Sequence, residues 1–499
     1  MEYLRESQKP NCEKLCQIME NSLFGCDFSI PGAGKTWNAM AVAKEYGLPI
    51  ILFGIRGSLS HWQQVANIMG VEIIHASTYE SFRSIKGCQP KHPYLRRYDY
   101  DDGSTGFVAT EELRVIIDEG VLIIADEFQK IKNDNDQAKA FQAVTREIVF
   151  QGGRSRVLFL SGTPFTDPDH AINFFKTIGF ITHQKLYNTY HGVFIPLGIN
   201  ELIGYIHELY PSEMEEVLLE YTPLSNRNVK ELVFAIFTDI IVPYFTSAMS
   251  LPALDYKKDT ANGYYLFDNK EQEAQYVTAV QQLEKASAFN RGTETADYAD
   301  NRAMGEITKA LVKLEASMLP IFERLLRRDL QDDPNCQIIV FLNYREETLE
   351  ILAERLADLK PLIYDGRLTN QKQEDAVIDA FQSGRNRLML ANLRKGGVAV
   401  NLHDTHGGRR RITYMSPSYS IIDMHQASGR TYRVGLKSDA TIRVVYGQVS
   451  NGDVRVLPSK ILRALSRRTE HIKKILIIQA KEGVRFPGNY ENYEEKAPI

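Results

Sequence analysis

Apolar residues arrive along this chain in short dense runs, separated by stretches in which they recur at helical spacing. From Cys26 to about Gly179 the runs DFSI, LPIILFGI, VEIIHA, VLIIAD and RVLFLSG each end where small or polar residues begin. Such runs, alternating with helices, predict a parallel sheet whose functional loops leave the carboxyl ends of its strands. A second series starts with QIIVFLNY (Gln337 to Tyr344) and continues through PLIYDG, RLMLAN, RITYMS and IRVVYG. The fold class is therefore α/β, with two parallel-sheet lobes. Between them, Phe180 to about Asp333 is mostly helical in pattern, with a polar stretch from Asn290 to Asn301 that reads as an exposed loop. After Leu457, SKILRALSRRTEHIKKIL places Lys460, Arg463, Arg467, Arg468, Lys473 and Lys474 around apolar residues at helical spacing. The expected divisions are lobes at 1–180 and 334–450, a helical bridge at 181–333 and a basic helical tail at 451–499.

Composition narrows the function classes. With 499 residues, 43% apolar and 24% charged, the chain is neither disordered nor fibrous, and it is too long for a single small module. Lys plus Arg number 59 against 63 Asp plus Glu, a net charge of −4, so any polyanion has to meet a regional patch. Cys12, Cys16, Cys26, Cys88 and Cys336 form no CxxC pair and read as reduced thiols of an intracellular protein. The charged start, MEYLRESQKPNCEKL, does not read as a signal peptide. The longest apolar run, Leu232 to Phe245, is interrupted by Thr238, Asp239 and Pro243 and falls short of the ~20 residues that span a bilayer, so a soluble chain with no membrane partner is expected.

Four segments carry chemistry. SIPGAGKT (Ser29 to Thr36) lies between a strand-like and a helix-like run. There Gly32, Ala33 and Gly34 let backbone N–H groups wrap phosphate oxygens, Lys35 reaches the β- and γ-phosphates of ATP, and Thr36 holds Mg²⁺. The run from Val121 to Gln129 delivers Asp126 to the Mg²⁺ shell and Glu127 to the attacking water. An acidic pair after an apolar strand is also the pattern of a solvated strand end, and the phosphate loop upstream favours the chemical reading. The third segment is SGTP (Ser161 to Pro164). In the fourth, QASGRTYRVG (Gln426 to Gly435), Arg430 and Arg433 stand at i and i+3, which places both on one helical face and lets them reach across a cleft to stabilise charge on a transferred phosphate.

GAGKT, DEFQ, SGTP and QASGRTYRVG, in this order, resemble motifs I, II, III and VI of superfamily 2 helicases and translocases. The Swi/Snf-type branch is resembled further. Leu4, Arg5 and Gln8 are similar to the segment whose glutamine reads adenine, Ser58 to Trp62 to motif Ia, and Ser77 to Glu80 to motif Ib. The run DEFQKIKNDNDQAKAF, Leu251 with Pro252, Asp365 with Gly366, and Lys395 to Leu402 resemble the branch's later segments. The resemblance covers roughly Leu4 to Gly447 and implies two RecA-like lobes with ATP at their interface. It assigns catalysis to Glu127, Arg433, Arg430 and Gln426, ATP binding to Gln8 and residues 32–36, and Mg²⁺ to Thr36 and Asp126. Coupling falls to Gln129, Ser161 and Thr163, and nucleic-acid contact to Ser58, His61, Thr78, Arg394, Lys395 and Asn401. Trp62 is expected to pack its helix and His61 has a capping role as its alternative.

Departures mark the chain as a divergent relative. Ser29 replaces the usual first glycine, Gln129 stands where relatives often have His, Ala399 replaces a glycine, and Tyr414 to Pro417 replaces a tryptophan-containing turn. Gly407 to Arg411 reads as a basic loop that either meets nucleic acid or is solvated, as does the tail. Cys88 alone between motifs I and II excludes an iron-sulfur helicase. The expected activity is an ATP-dependent, monomeric motor moving along DNA, duplex in the first instance, with RNA as the other polymer. A strand-separating helicase and a hydrolysis-deficient nucleic-acid scaffold are the alternatives; a small-molecule kinase has no use for the second lobe. The absence of an accessory-domain pattern resembles motors of large DNA viruses or phages.

Overall fold

A computed structural model describes residues 2–83, 92–99, 105–162, 164–165, 168–181, 186–190, 193–196, 198–221, 226–249, 254–289, 301–368, 370–396, 400–449 and 461. The expected loop at 290–300, Cys88, Thr163, Leu251, Pro252, Ala399 and the basic tail apart from Ile461 lie outside the described residues. The chain forms two compact units, Met1–Pro252 and a second beginning at Ala253.

In the first unit, β1 (Phe24–Asp27), β2 (Ile50–Gly54), β3 (Ile73–Thr78), β4 (Leu122–Asp126), β5 (Arg156–Leu160) and β6 (Thr246–Ser247) build one sheet in the order β6-β1-β5-β4-β2-β3. Every neighbouring pair is parallel. Four of the five apolar runs carry strands β2 to β5; β1 ends at Asp27, where the run DFSI begins, and that run continues into the phosphate loop. Strands β1, β2 and β4 are buried along their whole length, as a sheet covered on both faces requires. Helix Arg56–Met69 buries Trp62, Val65, Ala66 and Met69, the i, i+3, i+4, i+7 stripe of an amphipathic helix, against Leu52, Ile124 and Leu160. Register sets Asp27 opposite Leu160 and Leu160 opposite Asp126, so the ends of three central strands are level. Their loops consequently leave one edge of the sheet.

The second unit repeats the principle with β7 (Lys258–Leu266), β8 (Gln337–Leu342), β9 (Leu362–Tyr364), β10 (Leu388–Asn392), β11 (Arg411–Met415) and β12 (Ala440–Gln448), in the order β7-β12-β11-β8-β10-β9, again all parallel. Helices Lys270–Phe289 and Asn301–Asp332 pack on each other within it. The buried carboxylate of Glu315 accepts from the main-chain N–H groups of Asn343 at 3.0 Å and Tyr344 at 3.2 Å and from the Thr348 hydroxyl at 2.6 Å, which fixes the loop leaving β8.

The span expected as a bridge divides between the units. Strand pairing accounts for the division: β6 joins the edge of the first sheet beside β1, and β7 joins the edge of the second beside β12.

Candidate nucleotide site and motif loops

The phosphate loop leaves β1 and enters helix Lys35–Tyr46. Gly32 (φ +88) and Gly34 (φ +105) adopt the left-handed conformations that glycine takes without strain. Lys35 turns its ammonium into the loop, donating to the Ser29 carbonyl at 2.8 Å and the Ile30 carbonyl at 3.4 Å. Gln8 is buried against the same loop, its amide donating to Ala33 O at 3.3 Å and Gly34 O at 3.4 Å, beside Arg5 Nη2 on Ala33 O at 2.9 Å. A Cβ added at Gly34 would lie 2.1 Å from Gln8 Nε2. Gln8 and residues 32–36 thus come together as one cradle at a helix N-terminus, the geometry that receives phosphate.

Ser29 has a use that the sequence did not reveal. Its hydroxyl bonds Asp27 Oδ1 and accepts Met249 N–H at 2.7 Å, while Asp27 Oδ2 accepts Asn11 Nδ2 at 3.2 Å. Burial pushes the Asp27 carboxyl upward, with Lys35 and the Ser29 and Asn11 hydrogen bonds opposing.

Asp126 ends β4 with Oδ2 accepting from Ser58 Oγ at 3.1 Å and Trp62 Nε1 at 3.0 Å, and its main-chain oxygen takes the Tyr79 hydroxyl at 3.0 Å. Its Oδ1 makes no hydrogen bond among the described residues, which leaves one carboxylate oxygen for a cation or its water. Burial, then the neighbouring Glu127, push this carboxyl up to about 6, partly offset by the Trp62 hydrogen bond, Lys35 and Ser58. One carboxylate and the Thr36 hydroxyl suit Mg²⁺, which keeps several waters and shares its shell with phosphate; no group of three or more His, Cys, Asp or Glu that could hold a metal occurs among the described residues.

Glu127 stands in the left-handed region (φ +53), which costs a non-glycine residue roughly 1–2 kcal/mol and turns the chain sharply after β4. Its carboxylate accepts the Gln129 amide, and Gln129 Oε1 accepts the Ser161 hydroxyl at 2.6 Å. Gln129 and Ser161, singled out for coupling, are therefore joined to the candidate catalytic carboxylate in one line.

Of the candidates for nucleic-acid contact in this unit, Ser58 is half-buried on Asp126. Thr78 caps helix Tyr79–Phe82 through Ser81 N–H at 3.1 Å, and His61 is exposed. Trp62, expected only to pack, both packs and ligates Asp126. Its signal was present four residues after Ser58, one helical turn away.

In the second unit, Arg430 and Arg433 do not share a helical face. Helix Ile421–Ser428 ends at Gly429 before either is reached, because glycine is a poor helix former and Leu402 N–H captures the Arg430 carbonyl at 3.0 Å. Gln426 and Arg430 are buried. Arg433 donates to Gly429 O at 3.0 Å and to the side chain of Asn401, so Asn401 meets an arginine of the fourth motif. Lys395 pairs with Glu374, and Arg394 is exposed.

The loop from Gly407 to Arg411 is mainly structural. Arg411 is fully buried, donating to Leu402 O at 2.8 Å, Gln382 Oε1 at 3.0 Å and Gln337, 4.0 Å from buried Asp404. Arg409 donates to Gln382 O at 2.8 Å, and of the three arginines only Arg410 is exposed. Of this charge run it is Arg411 that is folded inward, where carbonyls and a carboxylate satisfy it.

Residues 320–435 match the helicase conserved C-terminal domain family. A protein of Acanthamoeba polyphaga mimivirus with the working name ATP-dependent RNA helicase L364 is 23% identical over 483 residues, spanning 94% of this chain and 82% of its own. The matched domain and the similarity to ATP-dependent helicases along most of the chain support a superfamily 2 helicase. A second helicase relative, the uncharacterized ATP-dependent helicase MG018 of Mycoplasma genitalium, is 23% identical over 259 residues, 50% of this chain and 22% of that protein. The Hef helicase domain of Pyrococcus furiosus superposes with a TM-score of 0.40 at 12% identity, covering 88% of this chain and 95% of that one. These similarities support a helicase-like, ATP-dependent enzyme of nucleic acids. No helix among the described residues is long and apolar enough to cross a membrane.

Proposed function

We propose that this helicase couples ATP hydrolysis to movement along DNA, duplex in the first instance, as a Swi/Snf-type translocase. The observation that carries the hydrolytic half is the line from Glu127 through Gln129 to Ser161, which ties the water-orienting carboxylate to the adjacent motif loop. Gln8 and Lys35 bind and orient the nucleotide, Thr36 and Asp126 hold Mg²⁺, and Glu127 orients or deprotonates water. Bound Mg²⁺ supplies charge neutralisation at the phosphates. Arg433 and Arg430, with Gln426, take their roles from motif order, and Asn401 holds Arg433 in place. Arg394, Lys395, His61 and Thr78 are the groups assigned to the nucleic-acid backbone.

An ATPase titration with single-stranded DNA, duplex DNA and RNA, beside a triplex-displacement assay, tests this reading. Duplex DNA should stimulate turnover and a third strand should be displaced without duplex opening; a rate indifferent to every polymer sinks it. A strand-separating RNA helicase is the second reading, favoured by the name of the mimivirus relative. RNA-selective stimulation with duplex unwinding would establish it instead.

A further inference from the structure

The second unit carries an open cavity of about 680 Å³ on the side of its sheet opposite the motif loops. Lys360 stands two residues before β9 and Arg387 immediately before β10, so the cavity lies at the amino edge of these strands, whereas Asp365, Arg394 and Lys395 follow their carboxyl ends. Arg327, Asp358, Lys360, Arg385, Asn386 and Arg387 are in its wall.

The charges in this wall are unbalanced. Arg327 is spent on Asp358, at 2.7 and 3.1 Å, and on Glu323 at 3.1 Å. Arg387 is held rigid by the carbonyls of Leu330 at 3.0 Å, Asp333 at 2.6 Å and Cys336 at 3.2 Å, none of them a carboxylate. Arg385 donates to Ser383 Oγ at 3.1 Å. Lys360, Arg385 and Arg387 form no ion pair among the described residues, and three uncompensated cations converge on one concavity.

Backbone strain points to the same place. Only two non-glycine residues among those described have positive φ: Glu127 at the nucleotide site and Lys360 here, at φ +48. Lys360 closes the Ala357–Leu359 turn, a position that glycine occupies without cost and lysine does not. Its carbonyl accepts Asn386 Nδ2 at 2.9 Å, which locks the Lys360 turn to the Arg385–Arg387 segment and fixes the spacing of the cations. Strain retained where a glycine would relieve it is a mark of a site.

We propose that this cavity is a second anion site, built for a phosphate-bearing ligand and separate from the phosphate loop. Its volume is that of a nucleotide-sized pocket, and guanidiniums with an ammonium are the donor set that phosphate oxygens accept from. Phosphates of a nucleic-acid backbone and those of a free nucleotide share this chemistry, and the experiment separates them.

The full chain carrying Lys35→Ala, which lacks the phosphate-loop cation, is compared with the same chain carrying Lys360→Gly and Arg385→Gln in addition. Lys360→Gly relieves the backbone, so thermal unfolding should hold level or rise, and a binding loss then cannot be ascribed to misfolding. Inorganic tripolyphosphate, measured by calorimetry, should bind the first chain and bind the second at least about tenfold more weakly. A labelled DNA duplex is titrated across salt in parallel. A slope of log affinity against log salt that falls by about 2 assigns the cavity to backbone phosphates; an unchanged slope assigns it to a free nucleotide. Tripolyphosphate that fails to bind the first chain, or binds both equally, overturns the site. A first chain that binds tripolyphosphate but no nucleic acid overturns the motor reading and leaves the cavity standing.

Discussion

The indole N–H of Trp62 donates to Oδ2 of Asp126 at 3.0 Å, so the helix that follows β2 steadies the acidic residue that ends β4. Trp62→Phe keeps much of the packing and removes the donor. Without metal, the Asp126 carboxyl should then move above about 6, and the pH dependence of unfolding in the absence of Mg²⁺ should shift upward with it. Trp62→Ala should in addition cost about 3–5 kcal/mol of stability, read by denaturant titration.

The same carboxyl makes the nucleotide-free protein pH-sensitive. Its folded value, about 6, lies above the 3.8 of an ordinary aspartate, so the folded state binds the proton more tightly. The stabilisation is complete below pH 3.8 and is lost as pH rises through about 6. Asp126→Asn removes this contribution, and its stability relative to the parent should improve between pH 4.5 and 6.5, as denaturant midpoints at the two values would show; a constant difference contradicts the assignment.

Gln129 links Glu127 to Ser161 through its amide nitrogen and its amide oxygen. Gln129→Ala and Ser161→Ala should leave ATP binding within about twofold and reduce polymer-stimulated turnover by about tenfold, the size of one buried hydrogen bond of about 1–1.5 kcal/mol. Stimulation equal to that of the parent in both variants would separate the motif-III serine from hydrolysis.

At Gly34, alanine brings a Cβ to 2.1 Å from Gln8 Nε2 at a φ of +105°. The amide and the loop must part, so Gly34→Ala should raise the KM for ATP by at least about tenfold, a barrier of ~1.4 kcal/mol. Nucleotide titration of the variant measures it directly.

Arg410 and Arg411 are neighbours with opposite fates. Arg411→Ala leaves Asp404, Gln337 and the Leu402 carbonyl in a buried site without their cation, and should destabilise by about 3–5 kcal/mol. Arg410→Ala, at an exposed position, should change stability by less than about 0.5 kcal/mol. Thermal unfolding of the pair compares them.

Nine of the twelve strands in the two six-stranded sheets were legible because parallel strands covered on both faces must be apolar throughout, and dense runs such as LIIAD have few other destinations; β1 was placed a few residues late. Strand β6 escaped because its two residues carry no periodicity, and β7, KDTANGYYL, because it is half exposed and polar. The phosphate loop and acidic motif were legible from local spacing alone. The Trp62–Asp126 and Asn401–Arg433 pairs were not, since each joins residues far apart in sequence whose meeting depends on strand order. The helical reading of Arg430 with Arg433 failed at Gly429, and the burial of Arg411 was not legible because charge along a sequence carries no information on burial.

Lys35 is not idle in the free protein: the carbonyls of Ser29 and Ile30 already solvate its ammonium. An incoming anion must outcompete its own binding loop. What Lys35 contributes to binding is therefore the difference between two sets of hydrogen bonds, those to the loop carbonyls and those to the anion's oxygens.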